Sequence, residues 1–357
     1  MQQKEAQNQA IGILVWLLIA YLAWDFVRPH DIFPPLKYAR VSLLLTLVLA
    51  FPIFNKIIEN SLVAEKIIAR ILIFFVLCYL SLLWAYNQGY WRACFRGSIF
   101  IVLIEFLGLA VLADSKNRLF FIIKSLIIFH VFVALYGIIN YGRGPGSFLT
   151  DENDLALALN SIFPLAYFLS FDRSASRFTR WFFMLSAAAM LLGVVASNSR
   201  GGFLGLAAAI GICFLLTQAK KRFVYAVLVF ALVVSPFVTD RYLEEMSTIT
   251  DTTDSTADAR LWSWKLALDM YWDNPVFGVG MCNYRYRVAE YEKLGIGGKW
   301  GDIRVSLAGR VSHSIYFTII PELGTVGMVL FVLIGYRFFG DMRARKEQYT
   351  VYEPEDL

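Results

Sequence analysis

Three residues in this sequence combine a side chain fit for chemistry with surroundings that let a ligand approach. Arg200 stands in SNSRGG, where serines and glycines leave the backbone accessible. An arginine snorkelling at a helix end is the plain alternative, and the residues alone leave both readings open. Arg260 lies at the start of ADARLWSWKLALDMYWDNP. Taken alone it reads better as a solvated surface charge, and Arg285, Arg287, Arg304 and Arg310 share that reading. His313 begins HSIYFTIIPELG. Imidazole is the side chain best suited to take a proton near neutral pH, although a lone interfacial histidine is usually just a hydrogen-bonded polar group. Glu322 follows nine residues later. On a continuous helix that spacing turns through about 900° and puts the two on opposite faces. Pro321 offers a way to re-aim the glutamate, which keeps it as a supporting candidate.

Other chemistries find less support. The three histidines, His30, His130 and His313, form no zinc-ligand cluster, and no carboxylate cluster suggests a divalent cation. Neither a metal nor a cofactor is expected. No strand precedes GVGMCNY, so a dinucleotide-binding turn is excluded. Glu105 and His130 fall at mid-membrane depth on adjacent helices, and a hydrogen bond from Glu105 to His130 or Lys124 is expected to fasten that hairpin. Cys94 and Cys282 share a compartment in which a disulfide is permitted, but free thiols are the expectation.

The elements that position these residues are set by composition. The chain has 357 residues, 58% hydrophobic and 17% charged, with mean hydropathy +0.57. Too little charge is present to cover a soluble domain. Apolar runs of about 17 to 25 residues, enough to cross roughly 30 Å of hydrocarbon, recur near 11–27, 41–58, 67–84, 97–113, 118–140, 155–171, 181–198, 201–217, 222–238 and 314–339. Backbone amides in lipid must be satisfied within their own segment, so these runs are expected to be helices. The last is the least regular, because Pro321, Glu322 and Gly324 interrupt it. The fold class is therefore all-α and polytopic, with about ten transmembrane helices and one large periplasmic loop between the last two. Residues 1–238 form the bundle, 239–312 the loop, 313–342 the last span and 343–357 a cytoplasmic tail. The first run lacks a basic leader and a cleavage site and reads as a retained helix. No internal repeat supports an inverted-repeat transporter.

The net charge of +5 would point to an anionic partner in a soluble protein; here its distribution says more, and no nucleic acid is expected. One side carries Lys4, Lys56, Lys66, Arg70, Lys116, Arg118, Arg173, Arg177, Arg180, Lys220, Lys221, Arg222, Arg343, Arg345 and Lys346. The short loops of the other carry Arg28, Lys37, Arg40, Arg92, Arg96, Arg143 and Arg200. Fifteen against seven puts both termini in the cytoplasm and 239–312 outside.

The loops have order of their own. VRPHDIFPPLKYAR reads as rigid, and GRGPGSFLTDEND as a turn and helix start with Thr150 as N-cap and its acids as capping groups. In the long loop an amphipathic helix is capped by Ser255 and Asp258, carries a stripe of Leu261, Trp264, Leu268 and Trp272, and stops at Asn274-Pro275. That stripe is expected to lie on the membrane surface, with Arg260 on another flank.

Three stretches in this order resemble the bacterial O-antigen ligase and polymerase superfamily of membrane glycosyltransferases: SNSRGG, ARLWSWKLALDMYWDNPVFGVGMCNY and HSIYFTIIPELGTVG. The last fits the ligase pattern of histidine, small polar residue, nine residues, glycine, two residues, glycine, here His313, Ser314, Gly324 and Gly327. DENDLALAL looks like the family's segment before the next helix, and the likeness covers residues 140–335. VRPHDIFPPL is similar to the branch of exosortase-associated O-glycosylation ligases. Where the ligase pattern continues with Thr-Arg, this chain has Met328-Val329, which leaves the acceptor open.

The resemblance implies a glycan on undecaprenyl diphosphate at the outer leaflet of the bacterial inner membrane, and an acceptor glycolipid, protein or polysaccharide. It implies Arg200 and Arg260 on the diphosphate, His313 activating the acceptor, Ser314 at the substrate and Glu322 behind them. Trp262, Trp264, Tyr284, Tyr286 and Trp300 offer faces for sugars, or equally an interfacial aromatic belt. The rivals are a polymerase of the same superfamily and a transporter, whose polar groups would sit at the bilayer midplane. The charge asymmetry predicts that cysteines introduced at Thr253 and Gly298 react with a membrane-impermeant thiol reagent on intact spheroplasts. One at Ser176 should not, and labelling at Ser176 alone reverses the orientation.

Overall fold

A computed structural model describes residues 11–59, 66–235, 255–294 and 306–349. The expected positions of Lys4, Thr253, Gly298, Trp300 and Arg304, and the side chain of Ser255, lie outside the described residues.

All ten apolar runs fold as helices, and the described residues contain no strand. They are α1 (Ile13–Val27), α2 (Val41–Glu59), α3 (Lys66–Leu80), α4 (Gln88–Leu112, with a π turn at Phe95–Ile99), α5 (Lys116–Ile139), α6 (Glu152–Leu169), α7 (Arg177–Ala196), α8 (Arg200–Leu216), α9 (Lys220–Val234) and α12 (Tyr316–Tyr349). Between α9 and α12 lie α10 (Ser255–Asp273) and α11 (Tyr284–Leu294). Among the described residues five helices are long and apolar enough to cross a membrane, within Pro34–Glu59, Gln88–Leu112, Lys116–Ile139, Arg177–Ala196 and Tyr316–Arg343. Their outward faces expose large apolar side chains such as Phe51, Phe178 and Tyr336, a cost in water that lipid removes. The chain is a membrane protein.

Contacts divide the chain into two units, Met1–Pro52 with Ile104–Thr250, and Ile53–Leu103 with Asp251–Leu357. The long segment after α9 thus packs with α3 and the first half of α4 instead of standing apart. In unit one α6 packs on α5, α7 and α8, and α1 packs on α5. Leu155, Leu159, Phe163, Met190 and Leu206 fill that core. Asp151 caps α6, accepting from Asn153 N at 2.8 Å. Thr150 instead bonds back to the Gly146 carbonyl, so the cap lies one residue later than expected, and an acid does the capping. The expected Glu105 hydrogen bond is absent. Glu105 Oε1 is buried without a partner among the described residues, while His130 Nδ1 bonds the Leu126 carbonyl at 2.8 Å and its ring packs on Phe26.

In unit two α12 packs on α3, α10 and α11. The helix breaks at Gly324, whose φ of 64° is left-handed. Pro321 cannot donate a helical hydrogen bond, and Gly324 turns the chain out of register, so amides and carbonyls around the break need other partners. Residues 275–280 provide them. Val279 N donates to Pro321 O and Gly280 N to Glu322 O, both at 2.9 Å, while Thr325 N donates to Pro275 O at 2.8 Å and Val326 N to Val276 O at 3.2 Å. Two glycines allow this approach. A Cβ on Gly278 would stand 2.4 Å from the Glu322 carbonyl carbon, and one on Gly324 would stand 2.3 Å from Val276 O. Gly278→Ala and Gly324→Ala should therefore each cost about 1–3 kcal/mol through backbone strain alone, and more through the clash. Gly335 has open space around it, so Gly335→Ala should be neutral or slightly stabilising. Thermal unfolding in detergent compares the three, and equal melting would refute the pairing.

Candidate functional site

The expected site residues fall in both units, and each is built locally. In unit one α7 ends in the turn Ser197-Asn198-Ser199, with Asn198 left-handed at φ 54°. Ser199 caps α8 by accepting from Gly202 N at 2.8 Å and donates to Asn153 Oδ1 at 2.7 Å. Asn160 Nδ2 reaches the Gly202 carbonyl at 2.9 Å. Two asparagines on α6 thereby fix the first turn of α8, from which the half-buried Arg200 projects. The amino end of a helix is already partially positive. An arginine there adds to that field instead of offsetting it, which suits an anion.

Two further loops gather at this end of unit one. Gly142 lies against the Ala196 carbonyl, and Gly146 lies against Asp31 and Arg28. Asp31 accepts from Arg28 Nε at 2.8 Å and pairs with Lys37 Nζ at 3.1 Å. Burial opposes ionisation of Asp31, but the hydrogen bonds from Arg28 and Lys37 outweigh it and hold its carboxyl below the ordinary range. The rigidity read in the proline-rich loop is thus reinforced by ions.

In unit two Arg260 sits one turn before Trp264 on α10, an i, i+4 pair sharing a face. Trp264 Nε1 donates to the Ser312 carbonyl at 2.9 Å, and its ring stacks on Phe317 at 5.0 Å. The loop preceding α12 is thereby tied to the face of α10 that carries Arg260. His313 follows Ser312, exposed and left-handed at φ 53°. Ser314 lends its carbonyl to Ser312 Oγ at 2.9 Å and to Thr318 Oγ1 at 2.8 Å. Glu322 is buried and committed elsewhere. Its carboxylate accepts from Cys282 N at 2.6 Å and Tyr284 N at 3.0 Å.

The face of α10 that packs inside unit two is a different one from the expected stripe. Its buried residues are Trp262, Ser263, Leu266, Ala267 and Met270, packed on Tyr284, Val288 and Tyr291 of α11. Leu261, Leu268 and Trp272 of the expected stripe are exposed. Tyr284 Oη donates to the Ser263 carbonyl at 3.0 Å, and burial pushes its phenol up to about 12. Tyr291 Oη donates to Asp273 at 2.8 Å, its phenol also pushed up to about 12, chiefly by burial. The helix does end at Asp273, before Asn274-Pro275.

Comparison with known families bears on these elements directly: residues 185–332 match the family described as O-antigen ligase. Over that segment the chain is similar to the O-antigen ligase superfamily. The O-antigen ligase match runs from within α7 into α12, and it includes Arg200, Arg260, His313, Ser314 and Glu322. A Rickettsia conorii protein provisionally named polysaccharide ligase is 26% identical over 285 residues, 75% of this chain and 66% of its own length. The chain thus spans just under two thirds of that relative. No solved structure matches.

Sequence reasoning missed three features of this O-antigen ligase segment: the pairing of residues 275–280 with the broken helix, the Glu322 clamp and the Trp264–Ser312 tie. The glycine spacing of GVG and ELGTVG was the available signal, and it marked close backbone approach. Cys94 and Cys282 correct another expectation. They form a disulfide, with Cα atoms 6.6 Å apart, whereas Cys78 and Cys213 are free and buried. Protein denatured without reductant should thus bind two equivalents of a maleimide reagent, and four after reduction. Four before reduction would exclude the bond.

Proposed function

We propose that this chain is a membrane glycosyltransferase of the ligase type, moving a glycan from undecaprenyl diphosphate to an acceptor hydroxyl at the periplasmic face of the inner membrane. The observation that carries this reading is the Trp264–Ser312 tie, which joins the face of α10 bearing Arg260 to the loop bearing His313 inside the O-antigen ligase segment. The fifteen-to-seven charge split and the Cys94–Cys282 bond support the orientation, since disulfides persist outside the reducing cytoplasm.

The chemistry assigned to the residues is concise. Diphosphate is a good leaving group that needs charge neutralisation more than protonation, and Arg200 and Arg260 supply forked donors for it. His313 takes the proton of the acceptor hydroxyl as its oxygen bonds the anomeric carbon. The anomeric carbon–phosphate oxygen bond breaks on the opposite face, releasing undecaprenyl diphosphate, and the configuration inverts. No metal takes part in this scheme, and Ser314 helps to shape the substrate face.

Detergent-purified protein with defined donor and acceptors, read for donor binding and transfer separately, tests the assignment. Arg200→Lys and Arg260→Lys keep charge but lose the fork, and each should slow transfer on the order of 100-fold, about 3 kcal/mol. His313→Ala should bind donor like wild type yet fail to transfer. Normal rates in both lysine variants would reduce the arginines to surface charges. Weak donor binding with normal saturated transfer in His313→Ala would make that residue a phosphate contact. A ladder of products instead of one added block marks a polymerase, and chelator sensitivity restored by magnesium removes the metal-free scheme.

A further inference from the structure

Outside these motifs, unit two holds one pocket with recognition chemistry of its own. It encloses about 330 Å³ and is lined by Tyr90, Arg285, Tyr286, Ala308 and Gly309. Arg285 Nη1 donates to Tyr90 Oη at 2.5 Å, and its guanidinium carbon lies 5.8 Å from the centre of the Tyr90 ring. The Tyr90 and Tyr286 rings stand 4.5 Å apart, tilted by 54°. Gly309 N donates to the Arg285 carbonyl at 2.9 Å, and nothing lies within 4 Å of where a Gly309 Cβ would be. The wall at Gly309 is therefore small and open.

Among the described residues the charge of this pocket has no ion-pair partner. Among the described residues no carboxylate lies within 4.0 Å of Arg285, although its neighbours are paired. Glu290 is taken by Arg287 at 3.4 Å and by the Tyr86 hydroxyl. Glu322 senses Arg285 only at longer range, and its oxygens are spent on the Cys282 and Tyr284 amides. Among the described residues Arg285 thus presents a guanidinium with no ion-pair partner, anchored by a phenol, beside two aromatic rings.

We infer that this pocket is a subsite for an acidic sugar, a pyranose bearing a carboxylate. The inference rests on the proposed transfer for the ligand being a glycan. Each part of the ligand has a counterpart. The planar guanidinium meets a carboxylate through two parallel hydrogen bonds. The tyrosine rings cover the C–H face of the sugar while their hydroxyls meet its polar edge. The volume sits at the low end of the roughly 300–1,000 Å³ span of small-molecule pockets, which suits a sugar residue and not a whole chain. The rings also choose between anion sources, because a bare phosphate would leave both aromatic faces uncovered.

The test titrates the full-length protein in detergent with methyl glucuronide, methyl glucoside and inorganic phosphate, read by ligand-observed NMR. The glucuronide should bind about tenfold tighter than the glucoside, the yield of one charge-assisted contact. Arg285→Gln should erase that preference, and Tyr286→Ala, at an exposed position, should weaken both sugars. An intact Cys94–Cys282 bond and a wild-type melting temperature qualify each variant as folded. Equal binding of the two sugars, phosphate competing as strongly as glucuronide, or a preference that survives Arg285→Gln would each overturn the subsite. Transfer assayed in parallel separates the two claims. Transfer without glucuronide preference sinks the subsite alone. Preference without transfer from any undecaprenyl diphosphate donor sinks the reaction and upholds the pocket.

Discussion

The break in α12 at Gly324 governs the rest of unit two. Interrupting a helix in a membrane exposes amides and carbonyls that water cannot reach, each costing several kcal/mol if left unpaired. The chain answers with residues 275–280, which pair with 321–326 through four backbone hydrogen bonds. Once that ribbon exists, the segment after α10 has no freedom to move away from α12. Glu322 extends the same clamp by one more step, accepting the amides of Cys282 and Tyr284. The start of α11 is therefore set by a carboxylate on α12, and the disulfide from Cys282 to Cys94 ties it in turn to α4.

This arrangement explains why a carboxylate is kept where burial penalises it. A buried charge is tolerated only when hydrogen bonds replace its hydration. Two backbone amides supply hydrogen bonds in that place. The sequence placed Glu322 behind His313 as a supporting group. The structure shows it holding the 282–284 turn, with the helix diverted at Gly324 just after the glutamate.

The helices were legible because hydropathy over a membrane thickness is a strong signal that no neighbour needs to confirm. The buried face of α10 was not. Leu261, Trp262, Trp264, Leu266, Ala267, Leu268, Met270 and Trp272 ring most of that helix, so no single stripe stands out. The choice of Trp262, Leu266 and Met270 is made by Tyr284, Val288 and Tyr291 on another helix. The cap of α6 missed by one residue because Thr150 and Asp151 are both good capping types, and only the backbone decides. The Cys94–Cys282 bond closes a separation of 188 residues, beyond what spacing can reveal. Of the candidate site, what each side chain touches could not be read from the sequence.

The left-handed His313 is held by a rigid scaffold on both sides. A non-glycine residue at positive φ persists only where its surroundings over-determine it. Here Ser312 is wholly buried, its carbonyl held by the Trp264 indole and its hydroxyl by the Ser314 carbonyl and Thr318. With both flanks fixed, the peptide between them must take the strained turn, and the imidazole leaves the loop in a set direction. That direction is determined before any acceptor arrives. In the proposed transfer an imidazole already aimed spares the reaction the entropy of finding its proton, and the Ser312–Thr318 knot supplies that rigidity at an exposed position.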